Sequence, residues 1–196
     1  MNIELKPYDY DVEYTDVMTE LLYSTDPVLH QLSFGPQAHR VIRKYIELWP
    51  SYLLPGNMNY IWTRGQFVGL VIIYSVQQAN KLNQLSHTCL KKSMGYLPYY
   101  LRWPIFRRIN KMLTYNITAD FYYINGLAIS QPFRGKGVGT EVISKLSDQY
   151  HKLSLFVNDQ NHSAIRFYLA NGFQINSHHQ MTYRRKKYGE YLMLKG

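Results

Sequence analysis

Three glycines alternate with other residues between positions 134 and 140, and this spacing points most directly to chemistry. Glycine adopts positive φ angles without a steric penalty, so such a run can turn tightly and lie close to a ligand. A helical pattern follows at 138–150, and the free N–H groups at the start of a helix bind anions. The pattern predicts a loop that binds a pyrophosphate. Its residues are Arg134, Gly135, Lys136, Gly137, Val138, Gly139 and Thr140.

Two common nucleotide-binding loops fit this segment less well. A Walker loop has Gly-Lys followed by Ser or Thr, whereas Gly135-Lys136 is followed by Gly137. A Rossmann loop follows an early strand and needs an acidic ribose ligand about 20 residues further on. Asp159 lies near that distance, but the chain between is not otherwise typical of that fold.

The elements around the loop predict a βαβ unit. A strand at 121–129 precedes the loop, and a second strand at 153–157 follows the helix. Two strands joined in this way are expected to lie parallel. After them we predict a helix at 163–171 that Gly172 ends, and two short strands in the tail from Phe173.

In the first half of the chain, the sequence predicts ordinary core elements that lead into the sheet. Turn residues around Arg64-Gly65-Gln66 separate two β-rich runs and indicate a hairpin. The predicted elements are a strand at 3–8, a helix at 17–22 with Asp16 as its cap, a helix at 36–48 with Trp49 on its apolar face, and hairpin strands at 59–63 and 67–74.

Residues from about 76–118 form a basic insertion that is too long for a plain connection. Within it, apolar residues recur on one helical face from Ile105 to Leu113, and Arg107, Arg108 and Lys111 lie toward another. Pro104 is suitably placed to open this helix. We expect the helix to pack on the sheet. The second interpretation is that this helix covers the substrate site, and the third is that it contacts a membrane surface or an acidic partner.

Composition favours one globular domain over residues 1–196, since the chain has 46% hydrophobic and 18% charged residues. Its net charge of +9 favours anionic partners, and no Asp or Glu occurs between Glu47 and Asp120. Cys89 is the single cysteine, so we expect neither an intrachain disulfide nor a structural metal. With no apolar run of membrane-spanning length and no signal-peptide pattern, a cytoplasmic location is expected.

Residues 121–173 resemble the cofactor-binding half of the GNAT superfamily of N-acetyltransferases. Arg134-x-x-Gly137-x-Gly139 is similar to the family's Arg/Gln-x-x-Gly-x-Gly/Ala loop. The family's second block is matched by Asn161-x-x-Ala164-x-x-Phe167-Tyr168-x-x-x-Gly172-Phe173. The resemblance implies an α/β (α+β) fold with a mixed, splayed central sheet flanked by helices. It also implies that acetyl-CoA enters where two parallel strands diverge.

The resemblance also implies roles for individual residues. The strand around Leu127, Ala128 and Ile129 receives the pantetheine arm, and the main-chain amide of Leu127 or Ile129 polarises the thioester. Tyr168 donates a proton to the CoA thiolate. Asn161 contacts the cofactor arm, although an Asn before a helix also serves as a cap. The implied cofactor-binding set is Leu127, Ala128, Ile129, the loop residues 134–140, Asn161, Phe167 and Tyr168.

A general base is harder to assign, because the position where some members carry Glu is Tyr123 here. The hydroxyl of Tyr123 is one candidate, and Asp120 or Asp159 acting through water are others. An amine of lowered pKa would need little help.

Aromatic residues are expected to line part of the acceptor cavity. The histidines do not form a ligand cluster, and His178 and His179 are interpreted as surface residues of a hairpin, with an acceptor-site role as the lesser alternative. The aromatic residues placed nearest the groove are Tyr60, Trp62, Tyr74, Tyr122 and Trp103.

The leading hypothesis is an acetyl-CoA-dependent enzyme that acetylates a primary amine of a small molecule or peptide. A second hypothesis changes the acceptor to a protein or ribosomal amine. A third treats the chain as a basic nucleic-acid-binding module that uses residues 184–187, but no known nucleic-acid-binding motif accompanies the charge. A homodimer is reasonable for this superfamily.

Overall fold

The strands in the described part of the protein form a single mixed sheet. The computed structural model describes residues 2–8, 14–48, 56–114 and 117–196. Within these ranges seven strands pair in the order β1-β2-β3-β4-β5-β7-β6. The strands are β1 (Ile3–Pro7), β2 (Met58–Thr63), β3 (Gln66–Ser75), β4 (Tyr122–Ile129), β5 (Leu153–Asn158), β6 (Gln174–Tyr183) and β7 (Lys186–Lys195).

Helices cover both faces of this sheet. Successive residues of a strand point to opposite faces, so Leu70 and Ile72 of β3 enter one apolar core while Val71 and Ile73 enter the other. The described helices are α1 (Thr15–Thr25), α2 (Pro27–Phe34), α3 (Ala38–Glu47), α4 (Ala79–Met94), α5 (Tyr96–Met112), α6 (Val138–Gln149) and α7 (His162–Ala170). The first core includes α1, α3 and α4, and the second includes α6 and α7.

The two central parallel strands part soon after they meet. β4 pairs with β5 in parallel at Tyr122 and Tyr123, opposite Leu153 and Ser154. On its other edge β4 stays paired with β3, where the register shifts between Ile72 and Ile73. The shift leaves one extra residue in β4, which is a β-bulge. The predicted parallel pair is confirmed, and beyond it the sheet opens into a cleft.

Two predictions about strands and turns have different outcomes. The first hairpin is confirmed, and its tip is Arg64-Gly65, where both φ angles are positive (49° and 75°). The tail strands were predicted to be short, which is wrong, because β6 and β7 have 10 residues each. The side chains of β6 are all exposed or half-buried, so no apolar run marks its length, and pairing with β7 along the whole strand extends it.

Two predicted helix boundaries are corrected. Asp16 does not cap α1: the helix begins at Thr15 after Tyr14, and Asp16 lies in its first turn, where a carboxylate favours the positive end of the helix dipole. The helix predicted at 36–48 is a short 3₁₀ turn, Gly35–Gln37, followed by α3. Trp49, assigned to that helix, lies outside the described residues.

The insertion is helical as predicted and forms α4 and α5. Its buried face is the predicted one, since Ile105, Ile109 and Met112 are buried. Pro104 does not open the helix but lies inside α5, which begins eight residues earlier, after Gly95. A proline in a helix interior leaves the carbonyl four residues earlier without its donor. Because Pro104 is exposed, water can reach that carbonyl.

Hydrogen bonds from two arginine side chains hold α5 over the sheet. The Arg102 guanidinium donates to the carbonyls of Leu32 and Ser33 at 3.2 and 3.1 Å, and the Arg108 guanidinium donates to the Thr182 carbonyl at 3.2 Å. The insertion therefore connects α2 on one side with β6 on the other.

Every helix in the described part of the chain is too short or too polar to span a bilayer. Among these same residues, no group of three His, Cys, Asp or Glu side chains is arranged to hold a metal ion.

Candidate functional site

A cleft of about 800 Å³ runs through the opening between β4 and β5. Residues 133–140, apart from Lys136, line one end, which we call the loop end. The junction of α1 and α2, the C-terminal part of α5 and Glu190 of β7 line the other, which we call the helical end. The parted strands form the middle. The cleft is therefore long enough to bring an anion-binding loop and a second compartment into one site.

The glycine loop leads into the first turn of α6. Gly137 takes a left-handed conformation (φ 81°) and precedes the helix, and the Glu141 amide donates to its carbonyl at 3.1 Å. Gly135 also has a positive φ of 71°. A Cβ added at either glycine meets no atom within 4 Å. The first N–H groups of α6 have no partner within the helix, so the loop end offers donors in open space, which suits a pyrophosphate.

The two cations of the loop lie in different places. Arg134 lines the cleft, and its Nε donates to the Ile129 carbonyl at 2.8 Å, which joins the loop to the end of β4. Lys136 does not line the cleft, and its Nζ lies 5.7 Å from the centre of the Phe133 ring at the surface. Of the two basic residues in the predicted loop, the geometry brings only Arg134 to the cleft.

The free edge of β4 presents main-chain groups to the cleft. The Ser130 amide donates to the Val68 carbonyl at 2.8 Å, so Ser130 faces β3. Alternate residues of an antiparallel strand turn their N–H and C=O groups to opposite edges. Leu127 and Ile129 therefore turn theirs toward the cleft, where β5 has already parted from β4. These are the two residues predicted to contribute an amide.

Helix α7 forms the opposite wall at the loop end. Its N-terminus is capped by Asn161, whose side-chain oxygen accepts from the Ala164 amide at 3.1 Å. Asn161 also lines the cleft, as do Ser163 and Ala164, neither of which was in the predicted cofactor-binding set. Both readings of Asn161 are compatible with its position.

Tyr168 points into the same cleft from α7. Only 9% of the residue is exposed, and burial raises the pKa of its hydroxyl. That hydroxyl has no hydrogen-bond partner among the residues that the structure describes. Tyr168 is therefore a neutral phenol that keeps its proton and faces the cavity.

The cleft brings together all of the predicted site residues except Lys136. Tyr123, the last residue of β4 that pairs with β5, is buried and also lines the cleft. The cleft-lining members are Tyr123, Leu127, Ala128, Ile129, Arg134, Gly135, Gly137, Val138, Gly139, Thr140, Asn161, Phe167 and Tyr168.

Aromatic residues such as Phe156 do line the cleft, but the five that were predicted to lie nearest the groove do not. The rings of Tyr60 and Trp62 pack around Tyr14 and Phe67, and Tyr122 stacks on Tyr150. Aromatic side chains on a strand fill whichever face the register assigns to them, and residue type alone does not reveal that face. None of the five predicted residues, Tyr60, Trp62, Tyr74, Tyr122 and Trp103, is among the described residues that line the cleft.

The predicted alternative bases also lie elsewhere. Asp120 is exposed and accepts from Lys152 Nζ at 2.6 Å, and this contact lowers the pKa of the Asp120 carboxyl. Asp159 pairs with His178 Nε2 at 2.9 Å on the β6–β7 side. His179 contacts the Met112 carbonyl at 2.8 Å. None of these side chains lines the cleft.

Sequence reasoning missed two carboxyl groups at the helical end. Asp26 caps α2 by accepting from the Leu29 amide at 2.9 Å, and Glu190 accepts from Asn158 Nδ2 at 3.1 Å. The two carboxyl groups also hydrogen-bond to each other, and burial is the main cause that raises both of their pKa values. Two signals could have found them: Asp26 directly before Pro27 is typical of a helix cap, and Glu190 is the single acidic residue of β7.

His30 lies beside this pair and was also missed. Its Nδ1 is 3.1 Å from the Tyr23 carbonyl, and burial lowers the pKa of the ring. The ring is therefore neutral, with Nδ1–H as the donor. The remaining side chains that line the helical end are small or apolar: Leu22, Ser24, Thr25, Leu29, Ser33, Ile109, Leu113 and Phe156.

Comparison with solved structures shows the same fold in bacterial proteins. An N-acetyltransferase from Staphylococcus aureus Mu50 has a TM-score of 0.62 and 17% identity, with 98% of this chain and 100% of that chain covered. YjaB from Escherichia coli in its apo form has a TM-score of 0.57 and 14% identity, with 100% and 98% covered. A GNAT family acetyltransferase from Elizabethkingia anophelis, solved with acetyl-CoA bound, has a TM-score of 0.52 and 11% identity, with 99% and 97% covered.

No curated protein sequence matches the chain. The family model described as acetyltransferase (GNAT) family matches residues 29–173, which extends the resemblance from the cofactor-binding half into the first half of the chain. The chain therefore belongs to the GNAT acetyltransferase family.

Proposed function

We propose that this chain is an N-acetyltransferase that moves an acetyl group from acetyl-CoA to a primary amine of a small molecule or peptide. The observation that carries the proposal is the cleft itself. It joins the anion-binding glycine loop to a second compartment through the gap between β4 and β5.

The lining residues fit acetyl-CoA along the length of the cleft. The first turn of α6 and Arg134 suit the pyrophosphate, and the free edge of β4 at Leu127 and Ile129 suits the amide groups of the pantetheine arm. Acetyl-CoA supplies an activated thioester. Its acetyl group belongs near the bulge of β4, where the two compartments meet.

Two protein groups are assigned to the transfer step. The main-chain N–H of Leu127 or Ile129 stabilises the negative charge that develops on the carbonyl oxygen. The amine nitrogen forms a C–N bond as the C–S bond breaks, and Tyr168 gives its proton to the departing thiolate. Tyr168 then regains a proton from the nitrogen. Tyr123 lines the cleft, but a neutral phenol is a weak proton acceptor, so the proposal gives it no role as base.

The helical end favours a small acceptor or the end of a flexible chain. Helices α2 and α5 cover it, and the guanidinium of Arg102 ties the two helices together. A folded protein surface cannot reach between them without opening this cover. A small amine, or a peptide amine on an extended chain, can enter as the helices stand.

Binding of acetyl-CoA is tested first by thermal unfolding. Saturating acetyl-CoA is expected to raise the melting temperature. S-acetyl-pantetheine, which lacks the pyrophosphate, is the matched control and is expected to give a much smaller shift. Equal shifts for the two compounds, or no shift at all, would contradict the proposal.

Transfer is tested by thiol release with a panel of amines. Cys89 does not interfere, because it is buried and burial raises the pKa of its thiol to about 11. Amine-dependent release of CoA, with the acetylated amine identified by mass spectrometry, is the expected result. Release that does not depend on any amine would overturn the proposal.

A further inference from the structure

Two elements from opposite sides of the cleft bring carboxyl groups together at its helical end. Asp26 belongs to the α1–α2 junction, and the preceding residue, Thr25, lies over β4: a Cβ at Gly126 would stand 3.1 Å from Thr25 Cγ2. Glu190 belongs to β7 and is 1% exposed. Because β7 pairs with β5, the contact between Asp26 and Glu190 spans the gap between the two halves of the sheet.

An independent observation marks the same cleft as the place of a ligand. The hydroxyl of Tyr168, in a residue only 9% exposed, faces the cavity without a partner in the described part of the protein. That hydroxyl is open to the cavity rather than sealed in the core, so a bound molecule can complete its hydrogen bonds. The carboxyl pair and Tyr168 thus share one cavity.

We propose that Asp26 binds the acceptor as a cationic primary alkylammonium and takes its proton, that Glu190 positions Asp26, and that acceptors bearing a carboxylate beside the amine are excluded. The inference rests on the proposed function, whose acceptor it names by chemical class.

The charges around the helical end support a cationic acceptor. A buried carboxyl group and a half-buried one in hydrogen-bond contact hold one proton between them and carry one negative charge, which one ammonium group neutralises. Among the described residues that line the cleft, Arg134 is the single Lys or Arg, and it lies at the loop end. A carboxylate on the acceptor would therefore meet the pair with no cation to balance it.

The walls and the neighbouring groups agree with this class. Apolar side chains from α1, α2 and α5 suit an alkyl chain. The titratable groups that face Asp26 are Glu190 and His30; Asp159 acts on Glu190, and His39 acts on His30. Burial keeps His30 neutral and favours the protonated form of Glu190. Glu190 is then the donor to Asp26, while its Oε1 accepts from Asn158.

The proton balance of the step is complete. The Asp26 carboxylate takes one proton from the ammonium, which leaves a nitrogen lone pair for attack on the thioester carbon. The C–N bond forms, the C–S bond breaks, and the proton from Tyr168 goes to the thiolate. The nitrogen gives its second proton back to Tyr168, and Asp26 releases the first to water. The products are the amide, CoA and one proton.

The substrate test compares pentylamine, norleucine and norleucinamide. Norleucine is pentylamine with a carboxylate beside the amine, and norleucinamide keeps that bulk without the charge. We expect kcat/KM for pentylamine to exceed that for norleucine by at least about 100-fold, since like charges placed side by side cost several kcal/mol. Norleucinamide is expected to recover a large part of the loss. Equal or better use of norleucine, or no transfer to pentylamine, overturns the inference.

The base is tested with Asp26→Asn, which keeps the helix cap. At pH 7, kcat/KM for pentylamine is expected to fall at least about 100-fold. The variant depends on amine that is already neutral in solution, so its deficit is expected to shrink about tenfold per pH unit between pH 7 and 9. Asp120→Asn, at an exposed residue away from the cleft, is the matched control. A deficit that does not change with pH overturns the assignment, and a pH-dependent deficit in His30→Gln instead transfers it to His30.

The positioning role is tested by two variants of Glu190. Glutamine can accept from Asn158 and donate to Asp26, whereas methionine can do neither. Glu190→Met is expected to lower kcat/KM at least about tenfold further than Glu190→Gln does, a loss of one good hydrogen bond. Equal losses overturn the role of Glu190. The acetyl-CoA thermal shift is measured for every variant: if the wild type shows none, the proposed function itself fails, whereas a normal shift with the wrong amine pattern removes the inference alone.

Discussion

Gly139 lies against the ring of Phe167, so that a Cβ added at position 139 would stand 3.0 Å from Cζ and 3.1 Å from Cε2 of that ring. Helix α6, which contains Gly139, and helix α7 therefore approach each other through a glycine. Gly139→Val is expected to push Phe167 out of its place in the cleft wall and to weaken acetyl-CoA binding about tenfold or more, as overpacking by about 1–3 kcal/mol implies. Calorimetric titration with acetyl-CoA measures the effect.

Ser144→Val is the matched control for Gly139→Val. It places the same β-branched residue on the exposed face of the same helix, away from Phe167. Its affinity for acetyl-CoA is expected to equal that of the wild type. Equal affinity in Gly139→Val would show that the wall at Phe167 does not shape the cofactor site.

Tyr168→Phe is expected to separate stability from activity. Because the Tyr168 hydroxyl has no partner in the described structure and is open to the cavity, its removal is expected to change the free energy of unfolding by less than about 1 kcal/mol. The same change removes the proposed proton donor and is expected to lower kcat by about 10²-fold or more. Urea unfolding and steady-state kinetics check the two effects. Tyr122→Phe, whose ring stacks on Tyr150 away from the cleft, is the control; unimpaired turnover in Tyr168→Phe would remove its catalytic role.

Glu190→Gln is expected to change how stability depends on pH. Burial raises the pKa of the folded-state Glu190 carboxyl above its unfolded value, so the folded state binds the proton more tightly and loses stability as pH rises above that value. The free energy of unfolding of the variant should exceed that of the wild type by a margin that grows with pH above about 5, by up to about 1.4 kcal/mol per pH unit. Chemical unfolding at several pH values gives the margin. The exposed Glu4→Gln serves as the control, and a constant margin would mean that Glu190 is not held protonated.

Pro104→Ala is expected to stabilise the protein. Pro104 lies inside α5 at an exposed position, so alanine restores a backbone N–H donor without opening a cavity. An increase of about 1–3 kcal/mol in the free energy of unfolding follows from the cost of an interior proline. Pro98→Ala is the control, because Pro98 lies in the first turn, where no helix carbonyl awaits a donor. A gain no larger than that of Pro98→Ala would mean that the helix has already adjusted to Pro104.

The cofactor half could be predicted from the sequence because its signals are local. The glycine loop, the helix after it and the block from Asn161 to Phe173 each occupy neighbouring positions in the chain, and their chemistry depends mainly on backbone groups. The structure brings the predicted cofactor-binding residues of these segments to one cleft, with Lys136 as the exception. A side chain in a turn can point away from the groove that its own backbone borders.

Helix boundaries were predicted less well where tertiary contacts override local preference. Pro104 is a good first residue for a helix, yet α5 continues through it, because Tyr99 before the proline and Ile105 and Phe106 after it are buried. Strand β6 likewise gains its length from pairing with β7 rather than from an apolar pattern.

The sequence by itself determined the family, the fold class and the end of the cleft that suits a pyrophosphate. Only the tertiary structure decided what lies at the other end, where Asp26 and Glu190 meet although 163 intervening residues separate them in the chain. The reason is physical: each carboxyl is an ordinary cap or strand residue until strand pairing and the α1–α2 junction bring the two into contact. Their contact then changes how both hold a proton, and no local pattern in the sequence encodes that contact.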